Sequence, residues 1–276
     1  MEPYYARAED KMGVTGTNGI PRLPGNNNFK VMAKGAEKLG YKQVHTGNMA
    51  INSQARDGRG SCLQIGFCFQ GCMSGAKWST LYTEIPKGEA TGHLEVRPQS
   101  QVLQIEHDDT GKVTGVVYVD ASGATQRQRA RAVAVAGNSI ETPRLLLMSD
   151  STKFPDGLAN SSGQVGKNYM RHMTGSVYAT FDRPVNMYRG TTMAGIITDE
   201  SINDPSRGFV GGYEMETLSL GLPFMAAFLN PGAWGADFTA AMDDYENMAA
   251  VKSAPQAPGL RNAAMKGRPS ERVSIS

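Results

Sequence analysis

Residues 60–76 read Gly-Ser-Cys-Leu-Gln-Ile-Gly-Phe-Cys-Phe-Gln-Gly-Cys-Met-Ser-Gly-Ala and contain all three cysteines of the 276-residue chain. Cys62, Cys68 and Cys72 have the spacing C-x5-C-x3-C, and glycines are interleaved with them. Because glycine adopts backbone angles that other residues resist, such a loop can curl tightly and direct several side chains to one point. The sequence therefore predicts that the three thiols converge.

Three converging thiolates can ligate a [3Fe-4S] cluster, or a [4Fe-4S] cluster that takes its fourth ligand from elsewhere. Structural zinc normally takes four ligands, often as C-x2-C pairs, and the chain contains no such pair. From the spacing alone, the alternative to a cluster is a set of reduced or partly paired cysteines in a glycine-rich turn. Zinc is a third reading.

Composition and charge exclude several classes of protein. The formal net charge of +2, from 28 basic and 26 acidic residues, is too balanced for a nucleic-acid-binding surface. No stretch approaches the roughly 18 apolar residues of a membrane helix, and the N-terminus lacks the pattern of a signal peptide. An odd number of cysteines in one cluster argues against a disulfide framework. We expect a soluble globular chain that carries no export signal of its own.

The periodicity of apolar residues predicts both helices and strands. Asn28 is the expected cap of a helix over residues 29–39. Turn signals at residues 107–112 and 120–123 predict two hairpins, and residues 175–222 read as a further antiparallel sheet. The last segment, residues 251–276, contains almost no large apolar side chains and reads as a basic, disordered tail.

Residues 132–136, Ala-Val-Ala-Val-Ala, predict a buried, parallel strand that leads through Gly137 into a helix. The start of such a helix presents backbone N–H groups, which often hold a phosphate or nucleotide. The pattern is equally that of an ordinary strand–helix unit. The dinucleotide fingerprint G-x-G-x-x-G does not occur in the chain.

Three stretches resemble the glucose–methanol–choline (GMC) family of flavin-dependent oxidoreductases. Residues 136–149, Ala-Gly-Asn-Ser-Ile-Glu-Thr-Pro-Arg-Leu-Leu-Leu-Met-Ser, are similar to the second signature of that family, although Asn138 and Asp150 stand where glycine is usual. Residues 157–172 are similar to its VGxNxxxH passage, and residues 100–102 to the strand whose valine backbone meets the flavin adenine. The resemblance covers roughly residues 1–248.

The cysteine loop narrows the resemblance to the large subunits of bacterial FAD-dependent glucose, sorbitol, gluconate and fructose dehydrogenases. In those enzymes a [3Fe-4S] cluster passes electrons from the flavin toward a cytochrome c subunit. Carried over, the resemblance implies that Cys62, Cys68 and Cys72 ligate the cluster. It also implies that Val102, Ala136 and Gly137 border the adenosine part of FAD.

The resemblance implies an α/β (α+β) fold with a partial FAD-binding flavin domain and an antiparallel substrate-domain sheet. The expected domains are a partial FAD-binding domain over residues 1–172, a partial substrate-binding domain over 173–248 and a disordered or aberrant tail over 249–276. Family members begin with a strand–helix–strand unit that would precede Met1, and their catalytic histidine pair would follow residue 248. We therefore expect an internal fragment without a catalytic residue of its own, with weak or absent FAD binding.

The function that the resemblance implies is FAD-dependent oxidation of a CH–OH group of a sugar or polyol, with electrons leaving through the cluster to an external acceptor. The implied partners are the substrate, a small subunit and a cytochrome c subunit, and the compartment is the periplasm, or the cytoplasm if the chain is never exported. Two alternatives stay open: a stand-alone iron–sulfur electron-transfer module, and a non-functional product of a truncated gene.

Overall fold

The computed structural model describes residues 1–255, which form helices and antiparallel strands in two compact units. One unit combines Met1–Gly88 with the chain from His172 onward, and the other comprises Glu89–Arg171. The combination of helices with antiparallel sheet confirms the predicted mixed fold class. Within residues 1–255, no helix is long and apolar enough to span a membrane.

The helices in chain order are α1 (Glu2–Met12), α2 (Asn27–Leu39), α3 (Glu84–Ala90), α4 (Asn138–Met148), α5 (Leu222–Leu229) and α6 (Gly235–Glu246). The strands are β1 (Val44–Thr46), β2 (Gln101–His107), β3 (Val113–Val119), β4 (Thr125–Arg129), β5 (Gly175–Thr180), β6 (Gly195–Ile197), β7 (Tyr213–Thr217) and β8 (Met248–Pro255). A short 3₁₀ helix covers Pro205–Arg207.

The first unit contains a five-stranded antiparallel sheet with the strand order β1-β6-β7-β8-β5. Strand β8 lies inside this sheet and pairs with both β7 and β5, so residues 249–255 are strand where a disordered tail was expected. The expectation rested on the lack of large apolar side chains, but the small residues Ala249 and Ala250 are buried in the core. The remainder of the expected tail, residues 256–276, lies outside the described residues.

Helix α2 joins the sheet through a buried asparagine. The helix is capped by Asn26, whose side-chain oxygen accepts a hydrogen bond from Phe29 N at 2.9 Å, so the prediction of Asn28 as the cap is wrong. Asn28 is 0% exposed, and its amide nitrogen donates to Leu218 O at 3.1 Å and Ala250 O at 2.9 Å. Its side-chain oxygen accepts from Ala250 N at 3.0 Å. This one side chain therefore ties α2 to β8 and to the segment before α5.

Tyr245 of α6 lies in the main core of the first unit. Its hydroxyl donates to Leu220 O at 2.9 Å and accepts from Leu220 N at 3.2 Å, which satisfies the polar end of a buried ring. Burial raises the pKa of the Tyr245 hydroxyl to about 12. The buried members of this core are Val185, Met187, Leu220, Met225, Tyr245, Ala249 and Ala250.

The second unit is built on the antiparallel meander β2-β3-β4. Asp108 closes the first turn because its carboxylate accepts hydrogen bonds from the N–H groups of Thr110 at 2.9 Å and Lys112 at 3.0 Å. Asp120 closes the second turn through Ser122 N at 2.9 Å and Ala124 N at 3.2 Å. Both predicted hairpins are confirmed.

Residues 132–136 belong to no helix or strand, so the prediction of a buried parallel strand here is wrong. Their side chains alternate between exposed alanines and half-buried valines. A parallel strand obtains its hydrogen bonds from neighbouring strands, and all ladders between the strands of residues 1–255 are antiparallel. In the described part of the chain, this apolar segment therefore has no neighbouring strand with which it could form a sheet.

Candidate metal and flavin sites

The three cysteines line one small pocket in the first unit. Their loop lies between β1 and α3 and is fastened at both ends by backbone hydrogen bonds. Cys62 N–H donates to Asn52 O at 2.8 Å, and Asn52 N–H donates to Ala76 O at 2.9 Å. The structure thus brings together the three residues that the sequence singled out.

The loop packs against a small buried cluster formed by Leu23, Ile51 and Ala76. The cysteines themselves are half-buried, with one side on this cluster and the other on the pocket. All three are free thiols, so the partly paired arrangement is not what the structure contains.

Backbone N–H groups point at two of the three sulfur atoms. Gln64 N donates to Cys62 Sγ at 3.4 Å, and Lys77 N donates to Cys72 Sγ at 3.4 Å. Ser74 Oγ lies 3.7 Å from Cys72 Sγ and adds a further polar contact. Hydrogen bonds of this kind favour the thiolate over the thiol.

These surroundings shift the pKa values of the Cys62 and Cys72 thiols in opposite directions. Burial raises the pKa of Cys62; the hydrogen bond from Gln64 opposes the shift, and repulsion from Cys68 and Cys72 adds to it. At Cys72 burial also raises the pKa, but hydrogen bonds led by the one from Lys77 N outweigh it, and the pKa lies below its usual value. The repulsion among the cysteines means that positive charge placed between them would be stabilised.

The donor set fits an iron–sulfur cluster in its chemistry. Such clusters are held by cysteine thiolates and depend on hydrogen bonds to sulfur, and both features surround this pocket. Cys62, Cys68 and Cys72 supply ligands of the right chemical type, but the structure does not place them as a metal-binding group. Among the side chains of residues 1–255, no group of three or more His, Cys, Asp or Glu is arranged so that it could hold a metal ion.

Gly66 fixes the path of the loop, and we expect Gly66→Ala to lower the free energy of unfolding by roughly 2–5 kcal/mol. Its φ is +79°, and an added Cβ would lie 2.0 Å from Tyr188 O, a backbone atom. The substitution therefore combines an unfavourable backbone conformation with a collision that no side-chain rotation relieves. Urea denaturation followed by circular dichroism measures the loss.

Gly71→Ala is the matched control in the same loop. Gly71 has a φ of +102°, but a Cβ there would have no atom within 4 Å. We expect only the conformational cost of roughly 1–2 kcal/mol. Equal losses in the two variants would contradict the role assigned to the contact between Gly66 and Tyr188.

A second pocket lies in the second unit and contains all three residues expected at the flavin adenosine. Val102, Ala136 and Gly137 line it together with apolar side chains of β3 and α4. A bulge interrupts the ladder between β2 and β3 immediately after Val102. Bulges redirect the backbone and are frequent next to functional sites, so this wall could offer both apolar surface and backbone groups to an adenosine.

The start of α4 does not offer free N–H groups to a phosphate, contrary to the sequence-based expectation. Asn138 Oδ1 already accepts hydrogen bonds from Ile140 N at 2.8 Å and Glu141 N at 3.1 Å. Gly137 N donates to Thr142 Oγ1 at 2.9 Å. Asn138, one of the two departures from the family signature, thus occupies the donors that an anion would need. The residues present fit the adenosine part of FAD better than its pyrophosphate.

Arg59 is a candidate that the sequence analysis did not single out. It directly precedes the loop and is 8% exposed, and its Nη1 donates to Gly75 O at 3.0 Å and Ala76 O at 3.2 Å. The available signal was an arginine between Gly58 and Gly60, because flanking glycines allow the backbone to turn a long side chain inward.

A family model described as GMC oxidoreductase matches residues 1–174. The chain is 33% identical over 254 residues to the 2-methyl-1,2-propanediol dehydrogenase of Mycolicibacterium austroafricanum, which covers 85% of this chain and 46% of that protein. It is 33% identical over 186 residues to the fructose dehydrogenase large subunit of Gluconobacter japonicus, covering 62% of this chain and 34% of that subunit. It is 31% identical over 192 residues to the paromamine 6'-oxidase of Streptomyces fradiae, and the match covers 67% of this chain and 35% of that protein.

The chain spans less than half the length of these curated relatives. The match to the family model nevertheless includes the cysteine loop, the β2-β3-β4 meander and α4, which are the parts that carry both pockets. The resemblance stated from the sequence is confirmed: the chain belongs to the GMC oxidoreductase family.

Proposed function

We propose that this chain is part of an FAD-dependent dehydrogenase that oxidises a CH–OH group of a sugar or polyol and sends the electrons out through a [3Fe-4S] cluster. The observation that carries the proposal is that Cys62, Cys68 and Cys72 line the same pocket in a GMC family member. An oxidoreductase that passes electrons directly to oxygen has no need of three thiols around one space.

The substrate class is supported by the names of two relatives. One is a 2-methyl-1,2-propanediol dehydrogenase and the other is a fructose dehydrogenase large subunit, so a diol and a sugar are the compounds named. Both names describe dehydrogenation of an alcohol. A sugar or polyol is therefore the class proposed for the protein to which this chain contributes.

FAD, when bound, supplies the two-electron acceptor for the hydrogen of the substrate carbon. In this chain Val102, Ala136 and Gly137 would hold its adenosine part against the wall of the second pocket. The valines and leucine of that wall exclude water from one face of an adenine, and the bulge after Val102 leaves irregular backbone beside it.

The cluster, when bound, supplies a carrier that accepts one electron at a time. Cys62, Cys68 and Cys72 would ligate it, and the N–H groups of Gln64 and Lys77 would stabilise negative charge on their sulfur atoms. Cys68 lies between the other two ligands in sequence and lines the same pocket.

The proposed partners are a small subunit and a cytochrome c subunit that accepts the electrons. The cysteine loop exposes apolar side chains that favour such docking: Leu63 is 56% exposed, Ile65 45% and Phe69 59%. Exposed apolar groups gathered on one loop are typical of surfaces that bind another protein.

The experiment that tests this function is an FAD titration of the purified chain, followed by a dye-reduction assay with sugars and polyols. Because Asn138 and Thr142 occupy the donors at the start of α4, we expect weak FAD binding and no substrate-dependent turnover by the chain alone. Asn138→Gly is the informative variant, since it frees the N–H groups of Ile140 and Glu141, and we expect it to bind FAD more tightly. Tight FAD binding by the unmodified chain would contradict the blocking role of Asn138, and a lack of tighter binding in Asn138→Gly would contradict the placement of FAD at this pocket.

A stand-alone iron–sulfur module is the second candidate, and one observation favours it. The cysteine pocket is formed entirely by residues of the first unit, so no residue of the second unit is needed to line it. A cluster that is reduced and reoxidised at the same rate with and without FAD would favour this candidate over the dehydrogenase.

A further inference from the structure

Glu141 places a carboxylate at the pocket that contains Val102, Ala136 and Gly137. It lies in the first turn of α4, and an added Cβ on Gly137 would lie 3.3 Å from Glu141 Cβ, so little space separates the two residues. Both line the second pocket, whose remaining wall is largely apolar. Glu141 and Arg144 are the charged residues among the described residues that line this pocket. An apolar surface with a few polar groups that fix the orientation of a ligand is typical of binding sites for organic molecules.

The carboxylate of Glu141 is held through one of its two oxygen atoms. Arg144 Nε donates to Glu141 Oε2 at 2.7 Å, and Arg144 Nη2 lies 2.5 Å from the same oxygen. Oε1 belongs to neither contact and keeps its capacity to accept hydrogen bonds from a ligand. The Glu141 side chain is 49% exposed, so a ligand can reach it. The guanidinium therefore orients the carboxylate and balances its charge, and it leaves one oxygen for recognition.

These features restrict the part of a nucleotide that the pocket can bind. The start of α4 does not offer N–H groups to a phosphate, because Asn138 Oδ1 accepts those of Ile140 and Glu141. A carboxylate at the pocket also repels a phosphate. Hydroxyl groups, in contrast, donate charge-assisted hydrogen bonds to a carboxylate, and acidic residues bind the ribose 2′-hydroxyl in dinucleotide sites. The carboxylate therefore favours a ribose, and the apolar wall favours an adenine.

We infer that Glu141 binds the ribose hydroxyls of the adenosine part of FAD and selects an adenosine whose 2′-hydroxyl is unsubstituted. This assignment rests on the proposed function, which places that adenosine at the second pocket. Glu141 Oε1 accepts hydrogen bonds from the ribose, and Arg144 keeps the carboxylate oriented. Glu141 is thus a specificity-determining residue for the nucleotide and takes no part in the oxidation of the substrate.

Calorimetric titration of the full chain with adenosine, 2′-deoxyadenosine and adenosine 2′-monophosphate tests this role. We expect 2′-deoxyadenosine to bind about tenfold more weakly than adenosine, because it lacks one donor to a charged acceptor. We expect adenosine 2′-monophosphate to bind more weakly by about tenfold or more, because its phosphate faces a carboxylate.

Glu141→Ala removes the carboxylate. We expect this variant to bind adenosine about tenfold more weakly than the unsubstituted chain and to show no preference for adenosine over 2′-deoxyadenosine. It should bind adenosine 2′-monophosphate more tightly than the unsubstituted chain does, because Arg144 loses its partner and becomes available to the phosphate.

Glu95→Ala is the matched control. Glu95 also pairs with an arginine in the second unit, Arg97, at 2.7 Å, but it does not line the pocket. We expect its affinities for the three compounds to equal those of the unsubstituted chain. Glu141→Gln is the second variant in case Glu141→Ala does not fold. It keeps the size of the side chain and removes the charge, so we expect a smaller preference for adenosine over both other compounds.

Equal binding of adenosine and 2′-deoxyadenosine by the unsubstituted chain overturns the role of Glu141 while leaving the adenosine site in place. An unchanged preference for adenosine in Glu141→Ala, or in Glu141→Gln if that is the variant that folds, overturns it as well. Equal losses of adenosine affinity in Glu95→Ala and Glu141→Ala do the same, because a general effect of charge would then explain them. If the unsubstituted chain binds no adenosine, the proposed placement of FAD at this pocket fails, and the role of Glu141 fails with it.

Discussion

Asn28→Ala is expected to lower the free energy of unfolding by roughly 3–5 kcal/mol, the largest loss that we expect from a single side chain. Asn28 is fully buried and makes hydrogen bonds to Leu218 O, Ala250 O and Ala250 N. Alanine leaves these backbone groups without a partner, and each buried, unsatisfied group costs about 1–3 kcal/mol. Urea denaturation of the chain, monitored by circular dichroism, measures the effect.

Asn27→Ala is the control for this prediction. Asn27 is the preceding residue of α2 and is exposed, and its amide donates to Val185 O at 2.9 Å. We expect a loss of no more than about 1 kcal/mol, since water can replace an exposed partner. Similar losses in both variants would show that Asn28 does not hold α2 to the sheet.

Cys68→Ser is expected to reduce the iron and acid-labile sulfide bound per chain at least tenfold after anaerobic reconstitution. Serine keeps the size and polarity of the side chain but replaces the thiolate, which is the ligand that iron–sulfur clusters require. Loss of a direct ligand costs at least as much affinity as the roughly 10–100-fold lost with an outer-shell partner.

Gln70→Ser is the matched control for the cysteine substitution. Gln70 lies between Cys68 and Cys72 in the same loop, but it is exposed and does not line the pocket. We expect its iron and sulfide content to equal that of the unsubstituted chain. Retention of the full content by Cys68→Ser would remove Cys68 from the ligand set.

Features set by local chemistry were predictable from the sequence. Asp108 and Asp120 each accept hydrogen bonds from N–H groups two and four residues later, so the turns of the meander are encoded within a few residues. The spacing of the cysteines and their glycines similarly foretold one pocket, because loop conformation depends on local backbone freedom.

Features that depend on distant partners were not predictable in the same way. In sequence Asn28 looks like a helix cap. It is buried because its side chain forms hydrogen bonds with the backbone of Ala250 in β8, which is distant in sequence. Residues 132–136 have the composition of a buried strand, but a strand also needs a neighbour to pair with. Arg59 lies in no recognisable motif, and its hydrogen bonds depend on the positions of the carbonyls of residues 75–76.

The cysteine pocket and the second pocket differ in how well the local sequence predicted them. Val102 and Ala136 are separated by more than thirty positions in sequence, and the family resemblance, not periodicity, pointed to both; the structure places them on one pocket. The pattern of an apolar run, a glycine and a helix suggested a phosphate-binding helix start, and the side chain of Asn138, a departure from the family signature, occupies the donors there. The departure from the signature at Asn138 therefore bears directly on phosphate binding at this helix start.

Low-temperature EPR of the reconstituted, oxidised chain tests the central claim most directly, because an oxidised [3Fe-4S] cluster is paramagnetic. We expect a signal of such a cluster, with matching iron and sulfide content, that disappears on reduction and is absent from Cys68→Ser. A chain that unfolds cooperatively but shows neither this signal nor bound sulfide would contradict the assignment of Cys62, Cys68 and Cys72 as cluster ligands.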